Sequence, residues 1–179
     1  MTIDEQKITT YHSICAVVLR ELRVQRSMHQ AQVADHFSKP PTVWQDVESG
    51  KKKIDLETLL RVCRGMFVAP GLIMQIADAY EQFIRSYGWS VVVTDLAGAD
   101  ALIKLANDYW KSPGCRAKQE FGTPILNVPF QQQNNGWLHI SEVFGFVVDE
   151  QYRAMQLDEE RHRPFVGPMR PVASLFGNI

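Results

Sequence analysis

Apolar side chains recur at three- and four-residue intervals along the first half of the chain, and that rhythm breaks at Gly88. Residues 1–8 are polar and predict a frayed start. Residues 11–26 predict a helix with Ile14, Val17, Val18 and Leu22 on one face. Residues 29–37 put Val33, Ala34 and Phe37 on one side of a second helix, and Ser38-Lys39 breaks it. A third helix opens at Pro40-Pro41, where the first N–H groups have no intrahelical partner, and turns Trp44 and Val47 inward. Gly50 sits where a left-handed residue ends a helix, and the loop Lys51-Lys52-Lys53 follows. Asp55 suits the N-cap of a fourth helix with the stripe Leu56, Leu59, Leu60, Cys63 and Phe67. A fifth runs from Ala69-Pro70 to about Tyr87 with Leu72, Ile73, Ile76, Ala77, Tyr80, Phe83, Ile84 and Tyr87 on its stripe. Its surplus length fits either a dimer seam or a bridge into the second half.

From Gly88 onward the pattern is mixed. GWSVVVTD (88–95) predicts a buried strand, and residues 96–110 a helix with Leu96, Ala99, Leu102, Ile103, Ala106 and Tyr109 or Trp110 on one face. SPGC (112–115) predicts a turn or loop. FGTPILNVPF, interrupted by Pro124 and Pro129, predicts an edge strand. QQQNNG (131–136) predicts a hairpin turn, WLHI and EVFGFVV predict one bulged strand or two short ones, and YRAMQL a returning hairpin partner across Asp149-Glu150-Gln151. The charged run 158–164 and the Pro- and Gly-containing tail predict exposed, irregular chain. The division is therefore 1–87, all helical, and 88–179, a small α+β domain.

Composition narrows the function classes. No apolar run reaches membrane-spanning length, and the polar, acidic N-terminus is unlike a signal peptide. The three cysteines, Cys15, Cys63 and Cys115, lack metal-ligand spacing and predict buried thiols in a reducing compartment. No metal or cofactor is expected. Net charge is −1, yet residues 20–53 hold seven Lys/Arg against four Asp/Glu, so the positive charge is local. Two helices across a tight turn, followed by lysines, form a helix-turn-helix that can set its second helix in a DNA major groove.

LRELR (19–23), QAQVA (30–34), KPPTVWQDVESGKKKID (39–55) and LETLLRVCRGM (56–66) occur in the order and spacing that resembles the lambda-repressor-like (Cro/CI, or XRE) family of transcriptional regulators, over residues 10–75. The chain departs from that pattern at His29, Val33, Ser38 and Trp44. The resemblance implies an all-α five-helix lambda-repressor-like DNA-binding domain followed by the small α+β domain. It implies that Gln30 contacts phosphate and braces the recognition helix, and that Arg23 and Glu48 form a structural ion pair. On the helix itself, Pro41 shapes the start, while Thr42, Val43, Gln45 and Asp46 are left to face base edges. Val43 suits a thymine methyl, Gln45 an adenine or phosphate, and Asp46 a cytosine amino group. Lys51, Lys52 and Lys53, with Lys39 in the turn, are the candidate phosphate contacts.

No catalytic constellation is legible in the second half. His139, Ser141 and Glu142 do not share one face of a strand, and Cys115 has no evident base. Ala97-Gly98 resembles the self-cleavage site of some repressors, but Lys118 is the last lysine, and Ser112 with Lys118 lies too near that bond for the serine–lysine chemistry. The expected function is that of a non-enzymatic, homodimeric regulator, a repressor in the cytoplasm at the nucleoid, bound to double-stranded DNA over a pseudopalindromic operator. The second half and the fifth helix are the natural dimer-forming elements, with room for a protein partner or small-molecule effector. The alternatives are an antitoxin-like adaptor whose second half captures a partner protein, and an enzyme that keeps a helix-turn-helix-like bundle without using it on DNA.

Overall fold

The computed structural model describes residues 7–96, 100–118, 122–133 and 136–159. The described chain is mostly helical, with two small two-stranded sheets. In the first half the order is β1 (Ile8–Thr10), α1 (Tyr11–Gln25), α2 (Gln30–Asp35), α3 (Pro41–Glu48), α4 (Leu56–Gly65) and α5 (Pro70–Ser86). Then come β2 (Ser90–Val92), α6 (Ala101–Lys111), the single turn α7 (Pro113–Arg116), β3 (Phe130–Gln132), β4 (Gly136–Leu138), α8 (Glu142–Val148) and α9 (Glu150–Leu157).

The five helices of the first half lie where the apolar rhythm puts them. Thr10 caps α1 by accepting from the Ser13 N–H, and Asp55 caps α4 by accepting from the Thr58 N–H. The stripe of α4 is displaced from the expected one. Leu59, Val62, Cys63 and Met66 point inward, whereas Leu56, Leu60 and Phe67 face solvent, because α4 docks through a narrower face than its apolar positions would allow. Cys15 and Cys63 are buried, and burial pushes their thiols up to about 12 and about 11.

The N-terminus is not frayed as far as residue 8. β1 pairs in parallel with β2, matching Thr9 to Val91, and Asp100 ties β1 to α6. Its carboxylate accepts from the buried Thr9 hydroxyl at 2.9 Å, from the Thr10 N–H and, as N-cap of α6, from the Ile103 N–H at 3.0 Å. The β1–β2 pairing is short, and Val93 is already exposed, so GWSVVVTD is a three-residue strand with an open end. Helix α6 starts at Ala101, later than expected, with Leu96 outside it.

Three further expectations for the second half are corrected. EVFGFVV is helix α8, not a strand, and YRAMQL lies in α9, not in a returning strand. Asp149 separates the two helices and caps the second, accepting from the N–H groups of Gln151 and Tyr152. The turn expected at SPGC is a single helical turn capped by Ser112, whereas residues 124–127, expected in an edge strand, form a turn, so that among the described residues of FGTPILNVPF strand begins at Phe130. The β3–β4 hairpin forms as expected, with Phe130 opposite Leu138. Asn134-Asn135, Ala97-Gly98, residues 1–6 and the tail from 160, including His162, lie outside the described residues.

One hydrophobic core runs through both halves. Helix α5 is a bridge: the Tyr80 ring stacks on Phe144 of α8 at 3.7 Å between centroids, and its hydroxyl accepts from the Ser141 N–H at 2.9 Å. Phe83 meets Trp137 edge-on at 5.3 Å, and the Trp137 indole donates to Ser86 Oγ. The apolar stripe of α5 is thereby covered within the chain and is not left as a dimer seam. Trp89, Tyr109, Trp137, Phe144 and Phe146 are core side chains. Deleting the Phe144 ring (Phe144→Ala) is expected to cost about 3–5 kcal/mol in urea unfolding. Fluorescence and far-UV dichroism transitions are expected to move together in that variant; separate transitions would show that the halves unfold as independent units.

Candidate nucleic-acid interface

The interface is built on a buried carboxylate. Glu48, in the last turn of α3, is almost wholly buried, and side chains from three helices converge on it. Arg23 of α1 donates twice, Nε to Oε1 at 2.5 Å and Nη2 to Oε2 at 2.9 Å. Gln30, the first residue of α2, donates Nε2 to Oε2 at 2.7 Å. The Trp44 indole, one helical turn back, donates to Oε1 at 2.6 Å. Arg20 stands 3.8 Å away from Oε2. A bidentate guanidinium and two further N–H donors fill the lone pairs of this carboxylate, which makes its burial tolerable. The expected Arg23–Glu48 pair is therefore present inside a larger cluster. Gln30 braces α3, and its side chain is directed to Glu48.

The turn between α2 and α3 reaches its shape without a glycine. Ser38 takes a left-handed φ of 55°, and the Lys39 N–H bonds back to the Ala34 carbonyl at 3.3 Å. The His29 N–H donates to Gln32 Oε1 at 2.7 Å at the start of α2. Trp44 occupies the inward position with no exposure and leans on Phe37 at 6.0 Å between ring centroids. With Trp44, Val47 and Glu48 inside, Pro41, Thr42 and Gln45 are exposed. Val43 and Asp46 are only half-exposed, and Val43 packs against the edge of the core. The outward face is therefore narrower than the sequence suggests and is led by Thr42 and Gln45.

Helix α3 ends in a Schellman turn: Lys51 N–H bonds to the Asp46 carbonyl at 2.9 Å and Gly50 N–H to that of Val47 at 3.1 Å. Gly50 has φ 75°, and a Cβ there would stand 3.1 Å from Ile103 Cγ1 of α6, so both backbone and neighbour call for glycine. This turn presents Lys51, Lys52 and Lys53 to solvent, and Lys39 is exposed at the other end of α3. Lys53 pairs with Asp95 at 2.6 Å, an exposed contact that contributes little.

His12 of α1 holds the same loop from behind. Its Nδ1 accepts from the Ile54 N–H at 3.4 Å and its Nε2 faces the Lys52 carbonyl at 3.2 Å, which fixes the neutral tautomer with the proton on Nε2. Burial lowers its pKa. The sequence carries no signal for His12, Asp95, Arg20 or Asn107 as neighbours of this site. Arg20 links it to the second half, donating to Asn107 Oδ1 at 2.6 Å and lying 3.9 Å over the Trp110 ring.

The second half holds a buried polar cluster in which Lys118 pairs with Glu142 and donates to the Tyr109 hydroxyl, which in turn bonds Glu142 at 3.0 Å. Burial pushes the nearby Cys115 thiol up, the reverse of what an activated nucleophile needs. His139 is exposed, with φ 59°, whereas Ser141 and Glu142 are buried.

Glu48→Ala is expected to lower stability by about 3–5 kcal/mol, since it strands Arg23 among buried donors; Glu48→Gln, which keeps an acceptor, loses less. Equal loss in both variants by urea titration would contradict charge pairing as the reason. His12 has a folded pKa below its unfolded value of about 6.5, so the unfolded chain gains the proton first as the pH drops. Its stabilising bonds are thus intact above that pH and lost below it. His12→Asn is expected to flatten the acid side of the stability profile as the pH falls below about 6.5; an unchanged slope would assign acid sensitivity elsewhere. Comparison with family models, with curated proteins and with solved structures finds no match to this chain.

Proposed function

We propose that the chain is a sequence-specific double-stranded DNA-binding regulator of the lambda-repressor-like kind, with α1–α5 as its five-helix DNA-binding unit and α3 as its recognition helix. The observation that carries this reading is the division of α3 itself. Trp44, Val47 and Glu48 lock one side into the core, while Thr42 and Gln45 face outward between exposed lysines at both ends, Lys39 before it and Lys51 and Lys52 after it. That is the arrangement in which cations position a helix on phosphates and uncharged polar side chains read base edges. Asp46 and Val43, half-covered, serve at the margin of the groove. With a net charge of −1, the chain relies on this local field and on docking geometry.

Readout by one such helix is weak, and the reading includes a homodimer on a pseudopalindromic site, acting as a repressor by occupying it. An exposed apolar surface on α4 and the turn after it supports the dimer. Leu56, Leu60 and Phe67 are 70%, 47% and 93% exposed. Phe67 forms one wall of an open groove of about 540 Å³, with Leu60, Arg64, Val68, Ala69 and Pro70. An exposed apolar patch of this kind, met by the same patch of a second copy, is what an isologous two-fold contact buries. An adaptor that captures another protein would use the same surface. A heteromeric complex from the native host with no homodimer in sedimentation would favour it.

Thr42→Ala combined with Gln45→Ala is expected to reduce preference for the operator over random DNA, by about 1–3 kcal/mol for each base no longer read. Lys52→Ala is expected to weaken binding to all duplexes and reduce the slope of log affinity against log salt by about one. Wild-type affinity and slope in both variants, measured by fluorescence anisotropy, would contradict the use of α3.

A further inference from the structure

Where the loop after α3 meets the second half, the chain forms a half-open cleft of about 570 Å³, within the range of small-ligand sites. We infer that this cleft binds a small organic carboxylate with an apolar body, and that its occupancy opposes DNA binding. The second clause rests on the function proposed above.

The chemistry of the lining selects the ligand. One wall is apolar: Ile103 lies against Gly50, Leu96 is half-exposed, and Val93 stands at the rim with 91% exposure. Three lysines, Lys51, Lys53 and Lys104, face the cleft alongside two aspartates, Asp95 and Asp100, with His12 neutral. The Asp100 carboxylate is used by Thr9, Thr10 and the start of α6, and Asp95 is engaged by Lys53. Among the described residues, Lys51 and Lys104 have no acidic partner within ion-pair distance. The lining thus carries one net positive charge beside an apolar wall, which matches a monoanion with a hydrocarbon tail rather than a neutral molecule.

The position couples the cleft to DNA. Lys51 belongs both to the cleft and to the loop proposed to face phosphate, so an anion held by it competes with phosphate. Asn107, also on the lining, accepts from Arg20, and Arg20 reaches the Glu48 cluster under α3. A ligand that favours the DNA-free arrangement must itself be bound less tightly when DNA is present, by the same factor.

The test uses the full chain and sodium octanoate as the probe, with octanamide as its neutral match. Octanoate titrated into the isotope-labelled protein without DNA is expected to shift the amide signals of Gly50, Ile103 and Lys104 saturably. Lys104→Gln, an exposed position outside the DNA-facing loop, is expected to weaken octanoate by about tenfold with an unchanged dichroism spectrum. Equal binding of octanamide, no shift at those three amides, or wild-type affinity in Lys104→Gln would overturn the site. Saturating octanoate is then expected to lower affinity for duplex DNA about tenfold in wild type and less in Lys104→Gln. Undiminished affinity would overturn the opposition to DNA. The first titration contains no DNA, so its failure is distinct from a failure of the chain to bind DNA.

Discussion

The burial of one carboxylate organises the first half of this protein. Glu48 closes the inner side of α3, and it is held from α1 by Arg23, from α2 by Gln30 and from α3 by Trp44. Three helices are thus referred to a single anion. A buried charge is costly when unpaired, so the arrangement penalises any orientation of α3 that withdraws a donor. Apolar packing by Trp44, Val47, Val33 and Ala34 supplies attraction without direction; the carboxylate supplies direction. The outward residues of α3, Thr42 and Gln45, face solvent as a consequence of this inner fit.

The second half is fused to that unit, not tethered to it. Tyr80 and Phe144 stack across the junction, Asp100 ties α6 to β1, and Ile103 fills the space that Gly50 leaves open. Arg20 touches both the Glu48 cluster and Asn107 of α6. A change at the cleft between the halves therefore reaches α3 through packed groups, with Lys51 common to both surfaces. This is a physical route from the second half to the proposed DNA-binding surface.

The two halves are unequally legible in the sequence. In α1 to α5 the apolar residues alternate with polar ones at helical spacing, and Asp55, Pro41 and Gly50 mark ends, so the helices are legible, although α4 buries only part of its apolar stripe and leaves Leu56 and Leu60 in solvent. In α8 every residue from Glu142 to Val147 is buried, and a continuous apolar run has no period from which to tell helix from strand. The β-branched and aromatic residues there favour strand, and tertiary burial overrides them. Asp149 suits a turn by its chemistry, and the same short carboxylate instead serves as an N-cap. At the site, Arg23 with Glu48 follows from the motif, but the roles of His12 and Asn107 depend on bonds between residues 42 and 87 positions apart, which no local pattern encodes. The inward lean of Val43 likewise depends on the tilt of α3, which Trp44 sets.

Selection from a random duplex pool by the purified full chain, at about physiological salt and followed by sequencing, tests the central claim most directly. A dimeric regulator that reads DNA through α3 recovers an inverted repeat whose half-sites are centred about one helical turn, roughly 34 Å, apart. Recovery of no preferred sequence from a pool that the protein demonstrably retains, or retention of no DNA at all, would contradict it.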